Sequence, residues 1–412
     1  MPSRIQTLSE GEIYAAAMSM ECDSVTPELL EDSFGVDADV IDAAMGRDYR
    51  GVGFHGIIRA AAGEAGIPVP HHIAPSEYPR LAQEIQNWHD FNRAGRELRA
   101  SQGWSTTNLA AINENVLNRS IHGRFEKQQS IVPVVAQERP ARDFRPHKAY
   151  RMYGQGFFKK LKATGEIEHL KFGDTSFENA VDTEAIMTTL PRQAIVNDDL
   201  GIFDAMGLAI ADTGFDTRER DICYALLDSS LWRTSTGANG EPINALAAGA
   251  SSAFGVSALE ALDDVLVNQK DRDGKPIRAT GDKVLLTQSG AMARQARVIH
   301  TSEGLMDHSS GPKASTDSPS ANPLRGEYET RAHTQWLSHS EMGARASSTA
   351  FFLFANPEIQ PFIQVLYLND RRTPHVETQS TAFNSLGQQM RSYWDYGIAQ
   401  IDDVGAAYSP GA

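Results

Sequence analysis

The stretch from residue 199 to residue 229 constrains the fold most, because its pattern predicts one uninterrupted helix. The side chain of Asn197 or of a neighbouring aspartate can accept hydrogen bonds from the first free N–H groups. Asp198 and Asp199 face the positive end of the helix dipole. At a rise of about 1.5 Å per residue, the helix would span roughly 45 Å. That length exceeds what a globular domain needs and favours a strut that supports the rest of the subunit.

A glycine-punctuated segment precedes this helix, from residue 150 to residue 188. β-Forming residues lie between its glycines, which predicts a long two-stranded excursion from the body. The segment is rich in lysine although the whole chain is acidic. The charged residues that we single out in it are Lys159, Lys160, Lys162, Glu166 and Lys171. We expect the excursion to project as a hairpin that packs poorly against its own chain.

The remaining segments mix helical and extended patterns, so the sequence predicts an α+β protein. Thr26 followed by Pro27 is typical of a capped helix start. Three prolines between residues 130 and 149 favour extended chain. Residues 303–325 have the composition of a surface loop. Further helices are expected at residues 37–45, 81–98, 109–117, 257–270 and 290–302, and strands at residues 350–354, 363–368, 373–378 and 393–401.

Composition narrows the function classes. The formal net charge is -15, from 53 acidic and 38 basic side chains. Such an excess repels a phosphate backbone, so a direct DNA-binding role is disfavoured. No apolar run reaches the roughly 18 residues of a membrane span, and the first residues lack a secretory core. We therefore expect a soluble cytoplasmic product in which Cys22 and Cys223 are buried thiols, with a single disulfide as the open alternative.

The residues that could carry chemistry have simpler structural interpretations. Pro312 lies inside the serine–lysine motif of residues 310–313 and prevents the helix that this motif needs. Adjacent histidines on a loop point in different directions, so His71 and His72 are poor metal ligands. The basic cluster at residues 93–99 could contact nucleic acid or an acidic partner, but a solvated helix end is the simpler interpretation.

The acidic pairs also have structural interpretations. Residues 197–199 are better explained as a helix cap than as a metal site. Asp263–Asp264 and Asp402–Asp403 are expected to be solvated turns or helix faces. We therefore assign no catalytic residue, no metal and no cofactor, and we expect a protein that is not an enzyme.

Several phrases in the last three hundred residues resemble a known family when read in order. The central phrase is Arg192-Gln193-Ala194-Ile195-Val196-Asn197-Asp198-Asp199-Leu200. Further phrases are Gly165-Glu166-Ile167, Gln269-Lys270-Asp271 with Gly274 and Pro276, Gly281-Asp282-Lys283-Val284-Leu285-Leu286, Asn322-Pro323-Leu324, Trp336-Leu337-Ser338, residues 352–357, Leu368-Asn369-Asp370, and Tyr396-Gly397-Ile398 with Ile401-Asp402. Together they resemble the major head subunits of Mu-type tailed bacteriophages. In the closing phrase, Val404 stands where the family has an arginine, which leaves the contacts of that turn open.

The resemblance implies the Hong Kong 97-type capsid fold and a division into five parts. These parts are a helical N-terminal segment (1–103), an N-terminal arm (104–149), an E-loop hairpin (150–188), a peripheral domain with a spine helix (189–232 and 372–408) and an axial domain (233–371). The N-terminal segment is either a removable scaffold or a retained element. We expect retention, because its apolar spacing suffices for a small packed helical unit.

The resemblance also implies a major capsid protein of the virion. Its copies would form hexamers and pentamers of an icosahedral head that encloses double-stranded DNA and is assembled in the host bacterial cytoplasm. The lysines of the hairpin would contact acidic patches of a neighbouring copy. Portal, scaffold or decoration proteins would be further partners, DNA would be touched only non-specifically, and no membrane is involved. The alternatives are a hydrolase or maturation protease of the head, and a scaffold, portal or decoration protein.

Overall fold

The computed structural model shows an α+β protein, as predicted. It describes residues 10–20, 25–46, 109–155, 171–191, 200–238, 240–272, 274–277, 282–305, 320–380 and 387–411. The chain divides into two compact units. The first unit comprises residues 1–129, 183–215 and 372–394, and the second comprises residues 130–182, 216–371 and 395–412. Within the described ranges, no helix is both long and apolar enough to cross a bilayer.

The secondary structure elements are numbered in chain order. The helices are α1 (Glu10–Met20), α2 (Pro27–Asp32), α3 (Ala38–Ala44), α4 (Leu109–Lys127), α5 (Val132–Val135), α6 (Leu200–Leu226), α7 (Val256–Val267) and α8 (Ala291–Thr301). The strands are β1 (Ala136–Ala141), β2 (His147–Gln155), β3 (Lys171–Asn179), β4 (Asp182–Pro191), β5 (Lys283–Gln288), β6 (Gly304–Leu305), β7 (Ser320–Ala321), β8 (Tyr328–Glu329), β9 (His333–Thr334), β10 (Phe351–Phe354), β11 (Ile363–Leu368), β12 (His375–Ser380), β13 (Gly387–Gln400) and β14 (Ala406–Ser409).

The long helix is confirmed as α6, which has 27 residues. It ends three residues before the predicted position, because Asp228 begins a separate 3-10 turn. The Asp228 carboxylate accepts a hydrogen bond from the N–H of Ser230 at 2.9 Å. Gly207 allows close packing of α6 in the first unit, since an added Cβ would lie 3.2 Å from the Leu117 and Ser120 side chains. The strut therefore forms despite its glycines.

Helices α1, α2 and α3 pack directly into the core of the first unit. Thr26 caps α2 as predicted, accepting a hydrogen bond from the N–H of Leu29 at 3.3 Å. Phe34 follows α2 and contacts the His122 ring edge-on, with centroids 5.1 Å apart. The core contains Ile13, Met18, Leu30, Val40 and Ile41 together with Val116, Leu117, Ile121, Ile210, Val376 and Met390. The leading segment thus shares one core with the rest of the first unit.

Helix α4 is longer than its predicted end at residue 117. Its polar residues after that point have partners that are distant in sequence. The Asn118 amide bridges the Val376 backbone at 2.9 and 3.1 Å, and the Ser120 hydroxyl donates to Asp204 at 2.9 Å. The buried face continues through Ile121. A locally polar run therefore stays helical because tertiary contacts satisfy it.

The predicted extended conformation of residues 130–149 is correct only in part. Residues 132–135 form the short helix α5, with Pro133 in its first turn. Proline is tolerated there because the first N–H groups of a helix have no partner within the helix. Strands β1 and β2 follow and give the rest of this segment the extended form that its prolines predict.

The second unit contains two larger sheets and the hairpin of β2 and β3. In one sheet, β1 runs parallel to β11, and β11 is antiparallel to the last part of β13. In the other, the strand order is β14-β10-β5-β8, and β9 also pairs with β5. Helices α7 and α8 cover the second sheet over a core that contains Leu259, Leu262, Leu285, Ile299 and Leu353. The predicted C-terminal strands and the two predicted helices of this unit are confirmed, with bounds shifted by a few residues.

Candidate assembly site: the hairpin and the turn that anchors it

Strands β2 and β3 form a two-stranded antiparallel hairpin. Their register runs from His147 opposite Asn179 to Gln155 opposite Lys171. On β2, Tyr150 is 64% exposed and Met152 is 69% exposed. These residues share one face because side chains alternate along a strand. Since a lone hairpin is marginally stable in water and exposed apolar surface marks interaction sites, this face is suited to a protein partner.

The base of the hairpin is held by strand β11 and the last part of strand β13 in the second unit. The buried amide of Asn179 donates to the carbonyl oxygen of Gln364 at 3.2 Å. Gly397 lies against the next residue, where an added Cβ would overlap the carbonyl oxygen of Ala180. The backbone of β13 therefore approaches the end of β3 at a distance that only glycine permits. This contact fixes where the hairpin leaves the body.

Arg151 provides a second attachment further along β2. It points away from the exposed Tyr150 face and forms an ion pair with the Asp402 carboxylate. The two side chains are 25% and 9% exposed. Burial lowers the pKa of Arg151, while the negative charges of Asp271 and Asp403 raise it. The hairpin is thus tied by a largely desolvated charge pair to the turn at residues 401–405, here called the closing turn.

The neighbouring Asp403 receives two more arginines. Arg272 donates to its carboxylate at 2.6 Å, and Arg233 approaches at 3.5 Å. Arg272 also lies 3.8 Å from Glu241. Together with Arg151 and Asp402, three arginines meet a group of carboxylates at this position. Because buried charges are costly unless paired, these ion pairs hold the closing turn in place.

The prediction that Asp402 and Asp403 are solvated is therefore wrong. Counted over the whole residue, their exposed fractions are 7% and 6%. The Asp402 carboxylate also accepts hydrogen bonds from the Gln360 amide at 3.0 Å and the Asp403 N–H at 2.7 Å. Val404, which replaces the arginine of the family phrase, is buried. The cations that pair with Asp402 and Asp403 come instead from residues far away in the sequence. These ion pairs are the contacts of the turn that the sequence left open.

The turn is completed by a glutamine from the phrase that resembles the family's Gln-Lys-Asp turn. The Gln269 side chain accepts from the Gly405 N–H at 2.9 Å and donates to the Ala406 carbonyl at 2.7 Å. Gly405 has a φ of +97°, a conformation that favours glycine. Two family-like phrases are therefore held together by direct hydrogen bonds.

A polar network fixes the last part of α6 to β1 and β11. Glu219 accepts hydrogen bonds from the Ser130 hydroxyl at 2.6 Å and the Ile131 N–H at 3.1 Å. Arg218 donates to Ser130 at 3.0 Å and to the Tyr367 hydroxyl at 3.2 Å. Burial raises the pKa of Glu219, and the Ser130 hydrogen bond lowers it. The strut is thus joined to the sheet by hydrogen bonds between desolvated groups.

Most of the residues singled out from the sequence lie outside the described residues. These are Lys159, Lys160, Lys162 and Glu166 of the hairpin and the helix cap Asn197, Asp198 and Asp199. Lys171 is described as the first residue of β3, opposite Gln155. His71, His72, the cluster at 93–99, the motif at 310–313 and Cys22 are also outside. Cys223 is a buried free thiol whose pKa is raised by burial. In the described part of the chain, no group of three or more acidic, histidine or cysteine side chains could hold a metal.

Sequence analysis missed the residues that build the anchor. Arg151, Arg233 and Arg272 are separated from the closing turn by more than a hundred residues, so no local pattern connects them. One signal was available in the sequence. Val404 stands where the family phrase has an arginine, so Asp402 and Asp403 lack a cation from their own turn. A cation from a distant part of the chain was therefore to be expected beside these two carboxylates.

Comparison with known proteins identifies the relatives of this chain. A family model described as phage capsid protein matches residues 175–409. Among curated proteins, none matches the chain. Similar solved structures include one from Mycobacterium phage Patience, at 12% identity and a TM-score of 0.45, which covers 74% of this chain and 88% of that one.

Two further structures are similar at the same level. One is from Microbacterium phage Oxtober96, at 11% identity and a TM-score of 0.43, covering 69% of this chain and 92% of that one. The other is titled capsid of native GTA particle computed with C5 symmetry, at 13% identity and a TM-score of 0.41, covering 69% and 91%. These likenesses are distant, and the family assignment rests on the sequence model.

Proposed function

Because the chain belongs to the phage capsid protein family, we propose that its copies form hexamers and pentamers of an icosahedral head that encloses double-stranded DNA. We further propose that the chain is a major capsid protein of the Hong Kong 97-type fold, a structural component of the virion and not an enzyme; its membership of the phage capsid protein family supports this. The hydrolase and protease alternatives are set aside. Its closer kinship with Mu-type head subunits and its assembly in the host bacterial cytoplasm are part of the proposal.

The observation that carries this proposal is the hairpin. It exposes two large apolar side chains, Tyr150 and Met152, on a thin two-stranded element. A monomer gains nothing from such a surface, whereas a neighbouring copy would bury it. Stable assemblies need interfaces of about 1,200–2,000 Å² or more, and a projecting hairpin adds area that a compact face lacks. The lysines 159, 160, 162 and 171 would add contacts with acidic groups of the neighbour.

The five-part division of the sequence is retained as a proposal. Residues 104–149 would act as the N-terminal arm, 150–188 as the E-loop, 189–232 with 372–408 as the peripheral domain, and 233–371 as the axial domain. We also propose that the segment 1–103 is retained in the mature shell. Its described helices α1–α3 contribute buried residues to the core of the first unit, so removing them would expose the apolar faces of α4 and α6.

Other head components would complete the particle. Portal, scaffold and decoration proteins are proposed partners. Packaged DNA would touch the shell only non-specifically, since a subunit with a net charge of -15 repels phosphate. An acidic inner wall lets DNA slide during packaging without adhering to it. The proposal requires no cofactor and no metal.

A deletion variant tests the role of the hairpin. It removes the residues between the register partners His147 and Asn179 and joins these two residues with a short glycine linker. We expect a folded subunit that forms no shells, because the deletion leaves Asn179 and its base contact in place. The loss of Arg151 should lower its free energy of unfolding by about 1–3 kcal/mol. Circular dichroism would report folding, and electron microscopy would report assembly. Normal shells from the shortened chain would refute the proposed role.

A further inference from the structure

Helix α8 of the second unit presents a basic stripe to solvent. The stripe consists of Arg294, Arg297 and Val298, which lie on one face at helical spacing and are all exposed. Val298 is 60% exposed. The opposite face of α8 is buried through Ala296 and Ile299. Within the described part of the chain, neither arginine forms an ion pair.

Helix α7 of the same unit presents an acidic stripe. The stripe consists of Glu260, Asp264 and Val267, again one exposed face, with Val267 46% exposed. Its buried face carries Leu259 and Leu262. Among the described residues, neither carboxylate has a cationic partner. The two stripes therefore match in composition, with two charges of opposite sign and one exposed valine each.

The two stripes occupy different positions on the subunit. Helix α7 packs against β14 and β10, whereas α8 packs against β5. These strands follow one another in the order β14-β10-β5, so the helices cover different parts of the same sheet. Two complementary patches at different positions can meet those of another copy either reciprocally across a two-fold axis or head to tail. In the head-to-tail contact, the basic stripe of each copy meets the acidic stripe of the next, and the contact closes into a ring when the rotation permits.

We propose that the basic stripe of one copy binds the acidic stripe of the next copy around each ring of the shell. The inference rests on the proposed assembly into hexamers and pentamers and names a contact that holds those rings. The two valines, each the last residue of its stripe, contribute an apolar contact beside the paired charges, as in interfaces that combine apolar and polar contacts. Like-charged subunits repel, so these paired charges also fix the orientation of neighbours.

The second copy is a better occupant than DNA for the basic stripe. Two exposed arginines on a chain of net charge -15 give little attraction for a polyanion. They match, charge for charge, the acidic stripe that every other copy carries. The exposed valine at the end of each stripe adds nothing to phosphate binding but contributes to a protein contact.

Charge reversal with rescue tests the pairing. One variant reverses the basic stripe (Arg294→Glu with Arg297→Glu), one reverses the acidic stripe (Glu260→Arg with Asp264→Arg), and a third combines all four changes. We expect each double variant to lose at least about tenfold in assembled shells, because like charges then face each other. The fourfold variant should recover most of the shells. Sedimentation and electron microscopy measure the yield, and circular dichroism verifies folding.

A matched control reverses two exposed charges of the first unit, Glu31→Arg with Asp32→Arg, at the end of α2. Cations at a helix C-terminus are favourable, so this variant should assemble normally. If the unmodified chain forms no shells, the proposed function fails. If it forms shells and the double variants do too, only the stripe pairing is overturned. Failure of the fourfold variant to recover shells would also overturn the pairing. Normal shells of the basic-stripe variant that lack DNA would overturn it as well, because they would assign the two arginines to DNA.

Discussion

Replacing Arg151 by methionine removes the cation that pairs with Asp402 and keeps the aliphatic part of the side chain. Losing one partner of a fully buried pair costs about 3–5 kcal/mol. Here Arg151 is 25% exposed, and Asp402 keeps the hydrogen bonds from Gln360 and the Asp403 N–H. We therefore expect the free energy of unfolding to fall by about 1–3 kcal/mol. Urea titration of the unassembled subunit would measure this.

The same variant should loosen the hairpin more than the body. We expect faster hydrogen exchange at the β2 and β3 amides, with the amides of β10 and β11 unchanged. Lys148→Met is the matched control, since Lys148 pairs with Glu178 at 3.0 Å within the hairpin and both side chains are about half exposed. The control should not change stability measurably. Equal stability of Arg151→Met and the control, with equal exchange in the hairpin, would refute the anchoring role.

Gly397→Ala should lower the free energy of unfolding by about 3 kcal/mol, since the new Cβ meets the rigid Ala180 carbonyl. In the control Gly255→Ala, the nearest atom to the new Cβ is 3.8 Å away, and the free energy of unfolding should change by less than about 1 kcal/mol. Equal urea midpoints for the two variants would contradict this. Burial raises the pKa of Glu219 above its ordinary value of 4.5. Between the ordinary and the raised pKa, Glu219 therefore holds a proton in the folded state that it has lost in the unfolded state. The free energy of unfolding should fall as pH rises through this range. Glu219→Gln should flatten this slope in urea titrations at different pH, and an unchanged slope would assign it to other groups. Mass spectrometry of the mature capsid protein should give a mass near 45.0 kDa; a mass lacking residues 1–103 would exclude retention.

Local patterns in the sequence were sufficient for the elements whose stability is local. The α6 helix follows from its composition and length, and Thr26 caps α2 as its position before Pro27 predicts. The strands near residues 351–354 and 363–368 follow from β-forming residues that are buried on both faces. In these cases the residues that determine the conformation lie within a few positions of each other.

Contacts between distant residues account for what the sequence did not reveal. Asp402 and Asp403 have the local pattern of a solvated turn, and they are buried because Arg151, Arg233 and Arg272 reach them from other elements. Helix α4 passes its predicted end because Asn118 and other polar residues find partners on distant elements. Ion pairs and hydrogen bonds across the fold leave no periodicity in the sequence.

We propose that copies of this polypeptide alone build the shell. Electron microscopy of particles assembled from the purified chain alone tests this most directly. We expect closed icosahedral shells whose surface resolves into clusters of six and five subunits, with the hairpin of each subunit covering a neighbour. Particles that remain single subunits, form only isolated rings, or close without the hairpin touching another copy would contradict it.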